Sequence, residues 1–163
     1  GGDFQHIPAC RSRTQVGCVV AFSTFDEPPP PNTKFGHTST PGLAVLCTNP
    51  AALPGGSGSL DPIFPTQPFA PGSTIATGIR LLGVTLPSAT TPWVESSGSY
   101  TARCSSTNGA NVLEIAPVDG APNIHPSPDS TWGLHLVDAN IALGNLTALV
   151  QSEATAYARG TAR

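Results

Sequence analysis

Four consecutive prolines, Pro28 to Pro31, follow the most apolar stretch of the chain, Val16 to Thr24 (VGCVVAFST), with only Phe25, Asp26 and Glu27 between them. Proline has a locked φ and no amide hydrogen, so it continues neither a sheet ladder nor a helix, and the apolar element has to stop there. Near-continuous apolarity with β-branched enrichment predicts a strand covered on both faces, at the centre of a sheet. Asp26 then stands at the carboxyl end of that strand, the edge where open α/β sheets place their ligands. A solvated turn aspartate before prolines is the plainer alternative.

Gly and Pro together supply 17 and 18 of the 163 residues, which disfavours a mostly helical protein. Apolar residues still make up 39%, enough for a core, so the expectation is one ordered, loop-rich domain over 1–163. The net charge is −3, with Lys34 the single lysine and the arginines scattered, which argues against nucleic acid or an anionic membrane as partner. No unbroken apolar run is longer than Cys18 to Phe22, which falls far short of the roughly 20 residues that span a bilayer, so a transmembrane chain is not expected.

Cys10, Cys18, Cys47 and Cys104 lack the C-x-x-C spacing of zinc or thioredoxin-like chemistry. Two disulfides are the simplest reading. The polar stretch Arg11 to Gln15 can turn the chain back to pair Cys10 with Cys18, leaving Cys47 for Cys104. Such bonds persist in an oxidising compartment and predict an exported protein, secreted, periplasmic or in the cell envelope. Four buried thiols in a cytoplasmic protein are the alternative.

From 32 to 73 the chain is punctuated by Gly and Pro and reads as an irregular excursion anchored by Cys47, with Gly55 to Ser59 as a flexible loop. Ile79 to Leu86 is a further candidate strand, and Ser99 to Cys104 and Val112 to Val118 read as a pair joined around Ser106 to Gly109. A loop from Asp119 to Thr131 leads to Trp132-Gly133-Leu134-His135. A terminal helix over 137–158 carries an apolar stripe of Ala139, Ala142, Leu143, Leu146, Leu149 and Val150. The layout is mixed α/β.

No G-x-S-x-G elbow, phosphate-binding glycine motif, H-E-x-x-H or calcium loop is present. His6, His37 and His125 are widely separated on Pro-rich loops, so neither a metal nor a cofactor is expected. His135 lies between the last candidate strand and the final helix, where a loop can present an imidazole at a sheet edge. It is the most interesting titratable group; a structural histidine hydrogen-bonded under Trp132 is the plainer alternative. Asp138, three residues on, reads most simply as a first-turn carboxylate favoured by the helix dipole. Asp119 and Asp129 are weaker acid candidates. The glycosylation sequon Asn145-Leu146-Thr147 is discounted because it falls inside the helix.

Several spaced blocks carry a resemblance that runs nearly end to end: Gly1 to Phe4, Ile7 to Ser12, Gln15 to Phe25, Phe35-Gly36, Leu46 to Leu53, Tyr100 to Cys104 and Trp132 to Asn140. Together they resemble the C-terminal half of a bacterial domain-of-unknown-function family in the α/β-hydrolase superfamily. The resemblance implies a partial α/β-hydrolase-like sheet, the C-terminal strands plus final helix, with a long Pro/Gly-rich excursion. It also implies that the nucleophile elbow and first strands belong upstream of Gly1. His135 would be the base, with Asp26 as the orienting acid and Glu27 and Asp119 as rivals. The substrate would be a small-molecule or lipid ester and the partner the N-terminal segment of the same protein; the chain alone is expected to be inactive. From a different class comes the alternative of a non-catalytic, disulfide-stapled extracellular module using Phe64, Phe69 and Trp93 as partner contacts.

Overall fold

In the computed structural model, residues 6–66, 88–126 and 128–161 are described. The expected strand at Ile79 to Leu86, and Phe69, lie outside them.

The longest elements of the sheet form a hairpin, β5 (Tyr100–Thr107) and β6 (Ala110–Pro117). They pair antiparallel from Tyr100 opposite Pro117 to Thr107 opposite Ala110. The two-residue turn is Asn108-Gly109, with φ of 52° and 79°. Both values are positive, as in a type I′ turn, whose twist matches that of the flanking strands. The expected pair, Ser99 to Cys104 and Val112 to Val118, matches these strands, stopping three and two residues short at the turn and running one residue past each outer end.

On the outer side of β5 runs β2 (Ser57–Leu60), antiparallel, and on the outer side of β6 runs β1 (Thr24–Phe25), parallel, giving the order β1-β6-β5-β2. A separate antiparallel ribbon pairs β3 (Ile63–Pro65) with β4 (Trp93–Glu95). A single 3₁₀ turn, His135–Val137, leads into the short α1 (Asp138–Ile141) and then α2 (Leu143–Thr161). The architecture is a mixed four-stranded sheet with helices, an α/β-like arrangement.

The doubly covered strand is β6, not the Val16 to Thr24 run. Leu113 and Ile115 pack with Leu60, Tyr100, Ala102, Leu134, Val137, Ile141 and Ala142 in the main core. On the opposite face Ala110 and Val112 pack with Phe25 and Phe35. The Val16 to Thr24 run corrects the expectation of a central strand: only its last residue enters β1, and β1 ends the sheet. Further back, Val19 and Ala21 bond to loops and not to a sheet ladder. Val19 exchanges hydrogen bonds with Pro8 and Cys10 at 2.9 and 3.0 Å, and Ala21 donates to Thr48 Oγ1 at 2.7 Å while accepting from the Thr48 amide at 2.8 Å. Gly17 at φ +70° and the Cys10–Cys18 disulfide bend the chain where a strand would have to run straight.

Two further expectations change. Gly55 to Ser59 is not a free loop, because Ser57 to Ser59 lie in β2 opposite Arg103, Ala102 and Thr101; β2 and β3 therefore both fall inside the segment read as irregular. A Cβ at Gly58 would meet the Ala51 carbonyl oxygen at 2.7 Å, so the glycine marks a close approach of two backbones. The terminal helix is also broken: α1 stops at Ile141, Ala142 has a non-helical ψ of 12°, and α2 restarts at Leu143 and runs to Thr161. The break turns Ile141 and Ala142 into the core, and the Gly144 amide donates to Asp61 O at 2.9 Å, docking the start of α2 on the end of β2. Val150, placed on the apolar stripe by its spacing, is 64% exposed.

Both disulfides, Cys10–Cys18 and Cys47–Cys104, are present as the spacing predicts. Among the described residues no helix is long and apolar enough to cross a membrane.

Candidate active site

The edge of β1 facing away from β6 organises the site. In a parallel pair alternate backbone groups point to the two sides, and here Ser23 O accepts from Leu113 N–H on the inner side. Thr24 points its own N–H and C=O outward. Its carbonyl accepts from Leu134 N–H at 2.8 Å, and its amide donates to Asp138 Oδ1 at 2.7 Å. The Thr24 hydroxyl donates to the same oxygen. At Thr24 the edge is thus occupied by the Leu134 to Asp138 turn.

That close approach explains Gly133. It sits at φ +56°, and a Cβ there would lie 2.7 Å from Thr24 O and 2.6 Å from the Phe25 ring. A left-handed backbone with no side chain is what lets the following amide reach the strand.

With one oxygen held by Thr24, Asp138 turns the other, Oδ2, toward His135 Nδ1 at 2.8 Å. A carboxylate partner calls for a proton on Nδ1, which leaves Nε2 as the lone-pair nitrogen. The Asp138 side chain is 15% exposed and that of His135 39% exposed, so the pair is buried at the carboxylate and open at the ring. Burial pushes the Asp138 carboxyl above the ordinary aspartate range, opposed by the Thr24 hydrogen bonds and by His135. The Phe35 ring lies over the imidazole with centroids 3.6 Å apart and planes 23° apart. Trp132 meets Phe35 edge-on at 5.3 Å, and Lys34 Nζ stands 5.6 Å from the Trp132 ring centre. Phe35 is the ring stacked on His135; Trp132 stands tilted at 6.3 Å from the imidazole, and its carbonyl accepts from the His135 amide at 3.3 Å.

Asp26 immediately follows β1, as expected, but its surroundings differ from those of Asp138. One of its oxygens, Oδ1, is buried without a hydrogen-bond partner among the described residues. Burial and the charge of Glu27 raise its carboxyl above the ordinary range, while backbone hydrogen bonds and His125 oppose the rise. The histidine that bears on Asp26 is His125; the carboxylate bonded to His135 is Asp138. Glu27 and Asp119 are exposed, and neither is bonded to His135 among the described residues. The sequence named Asp138 only as a first-turn carboxylate; it is the first residue of α1, but its side chain is spent on Thr24 and His135. The signal that could have found it is the i, i+3 spacing of His135 and Asp138 across the start of a helix. Asp129 accepts from the Thr131 amide and hydroxyl at 2.8 and 2.6 Å, and those bonds hold its carboxyl below the ordinary range.

Elsewhere, Asn145 is 7% exposed; its Oδ1 accepts from Asp61 N–H at 2.8 Å and its amide donates to Ser59 O at 3.1 Å, a structural role that a glycan would abolish. Cys10, Cys18 and Glu153 form a group of potential metal ligands, yet the two sulfurs are joined to each other and offer no thiolate. A cavity of about 150 Å³ is lined by Arg11, Cys47, Thr48, Leu53, Gly56 and Cys104 among others, and none of the groups around His135 lines it. Of the proposed partner contacts, Phe64 is partly buried against the core and Trp93 is 56% exposed.

No protein-family profile matches the chain, and no curated protein or solved structure is detectably similar to it.

Proposed function

We propose that this chain carries the histidine and carboxylate of a serine-hydrolase-type centre acting on small-molecule or lipid esters outside the cytoplasm. The observation that carries the reading is the chain of hydrogen bonds from Thr24 through Asp138 to His135 Nδ1, in a ring left part-exposed. In hydrolytic triads a buried carboxylate holds the imidazole tautomer and stabilises the imidazolium, while Nε2 takes the proton of a serine hydroxyl as it attacks the carbonyl. His135 fits the base and Asp138 the orienting acid, so the role first assigned to Asp26 passes to Asp138. The serine would come from a segment outside this chain, in keeping with the resemblance to the C-terminal half of an α/β-hydrolase-like family. Two disulfides support the extracytoplasmic assignment.

The test compares this chain alone with a longer reading frame that adds the upstream segment the resemblance implies, using short-chain p-nitrophenyl esters and a fluorophosphonate label. Turnover and labelling are expected in the longer frame alone. Asp138→Asn should lower turnover by on the order of 10³–10⁴, the scale for a triad with the wrong tautomer, whereas Asp26→Asn should stay within a few fold of the parent. Equal losses in the two variants, or turnover by the isolated chain, would defeat the assignment. The exposed Trp93 favours a second reading as a binding module; full activity after His135→Ala would select it.

A further inference from the structure

We infer that Phe35 is the positioning residue of His135: its ring fixes the imidazole plane and closes one face, so that a reacting group meets the histidine only from the other face or the Nε2 edge. The inference rests on the functional reading above and adds a residue to it. Asp138 constrains the imidazole at a single atom, Nδ1. One hydrogen bond leaves the ring free to swing about that contact. A stacked partner removes the freedom, and the centroid separation of 3.6 Å with planes 23° apart is face-to-face contact.

Phe35 is mounted firmly enough to serve. Its carbonyl accepts from Thr33 Oγ1 at 3.1 Å, the Lys34 amide donates to Thr131 O at 2.9 Å, and Asn111 N–H donates to Gly36 O at 2.7 Å. These bonds tie its segment to the loop that carries Trp132 and to the start of β6. The ring packs against the cluster of Phe25, Ala110 and Val112, and Trp132 supports its edge. Gly36 sits at φ +76°, where a Cβ would meet Val112 Cγ1 at 2.6 Å and Asn111 O at 2.8 Å, so the backbone is pressed onto β6 to bring the phenyl ring around the β1 edge. This also accounts for the tetraproline, which ends the chain's extended run and turns it back into this segment: Thr33 N–H donates to Pro30 O at 3.0 Å, and Asn108 donates to Pro29 O at 2.9 Å.

Proton NMR of the 163-residue chain tests the geometry without reference to activity. Nuclear Overhauser contacts between the Phe35 ring and the His135 ring protons are expected in the parent protein, and their absence overturns the inference whatever any variant does. Phe35→Met keeps much of the volume in the Phe25 and Val112 packing but has no aromatic face. It should remove the ring-current shift of the His135 protons and broaden the Nδ1–H signal, while β5 and β6 amides stay in place; Phe35→Tyr should restore both. An unaltered Nδ1–H signal in Phe35→Met overturns the positioning role. In the longer reading frame Phe35→Met should lower kcat about ten- to hundredfold with KM little changed, the scale expected for a misplaced catalytic group. Unchanged kcat despite altered ring resonances would overturn the catalytic purpose of the stacking. Absence of turnover in the parent frame would instead defeat the functional reading while leaving the NMR result standing.

Discussion

Two aspartates near the end of β1 illustrate how environment, rather than residue type, assigns a role. Asp138 is mostly buried with its oxygens bonded to Thr24 and His135; Asp26 is partly buried, with Oδ1 lacking a hydrogen-bond partner among the described residues. Burial raises both carboxyls above their ordinary range. A raised folded-state value means that the folded protein holds the proton more tightly than the unfolded chain. The associated stability is then complete below the unfolded value of about 3.9 and is lost as pH rises through the folded value. Asp26→Asn removes that penalty at one of the two sites. The denaturation midpoint of the variant relative to the parent should be more favourable at pH 7 than at pH 3.5, measured in urea at fixed ionic strength. The same difference at both values would show that Asp26 titrates normally.

Elements were legible from the sequence where local chemistry decides them and obscure where long-range contacts do. Asn108-Gly109 forces the β5–β6 turn whatever surrounds it, and the two strand patterns flanking it were found. Both disulfides followed from spacing, and His135 does lie between the last strand and the helices, as its place in the sequence predicts. The Val16 to Thr24 run misled because apolar extended chain looks alike whether its amides join a ladder or, as here, reach Pro8, Cys10 and Thr48. β2 was hidden because Ser57-Gly58-Ser59 has no strand pattern; its glycine is set by contact with Ala51, a neighbour invisible to local reading. Asp138 is the first-turn carboxylate that its position predicts, but its bond to Thr24, 114 residues away, is invisible to local reading. Gly133 shows the same logic in testable form. A Gly133→Ala change places a methyl group against Phe25 and Thr24 O at φ +56°, where an L-residue already costs roughly 1–2 kcal/mol. The turn should withdraw from β1, and amide exchange at Leu134 should rise more than at β5 and β6. Uniform protection across all three would mean that the close approach is dispensable.

For the molecule as a whole, the two disulfides tie different parts of the chain and should contribute unequally. Cys10–Cys18 spans a separation of 8 residues and holds the N-terminal segment together, beside Val20, Leu53 and Leu149. Cys47–Cys104 spans 57 and fastens the segment before β2 to the middle of β5, closing a loop that contains β2, β3 and β4. Loop-closure entropy scales with the logarithm of the enclosed length, which gives about 2.5 kcal/mol for the short loop and about 4 kcal/mol for the long one. The larger effect also falls nearer the core, because Asn49, two residues past Cys47, donates to Ala102 O at 2.7 Å and to Gly56 O at 3.2 Å, holding that segment against β5 and the entry to β2. Replacing Cys47 and Cys104 together by Ser should therefore lower the unfolding free energy by more than the matching Cys10 and Cys18 pair. It should also expose amides of β2, while leaving the His135–Asp138 contact intact, since that pair is hydrogen-bonded to β1, at the opposite edge of the sheet from β2. Denaturant titration of the two double variants, followed by the His135 ring resonances and by β2 amide exchange, checks both halves. A larger loss from the short loop, or loss of the His135 signal together with β2 protection, would show that the sheet melts as one unit and that the site has no stability of its own.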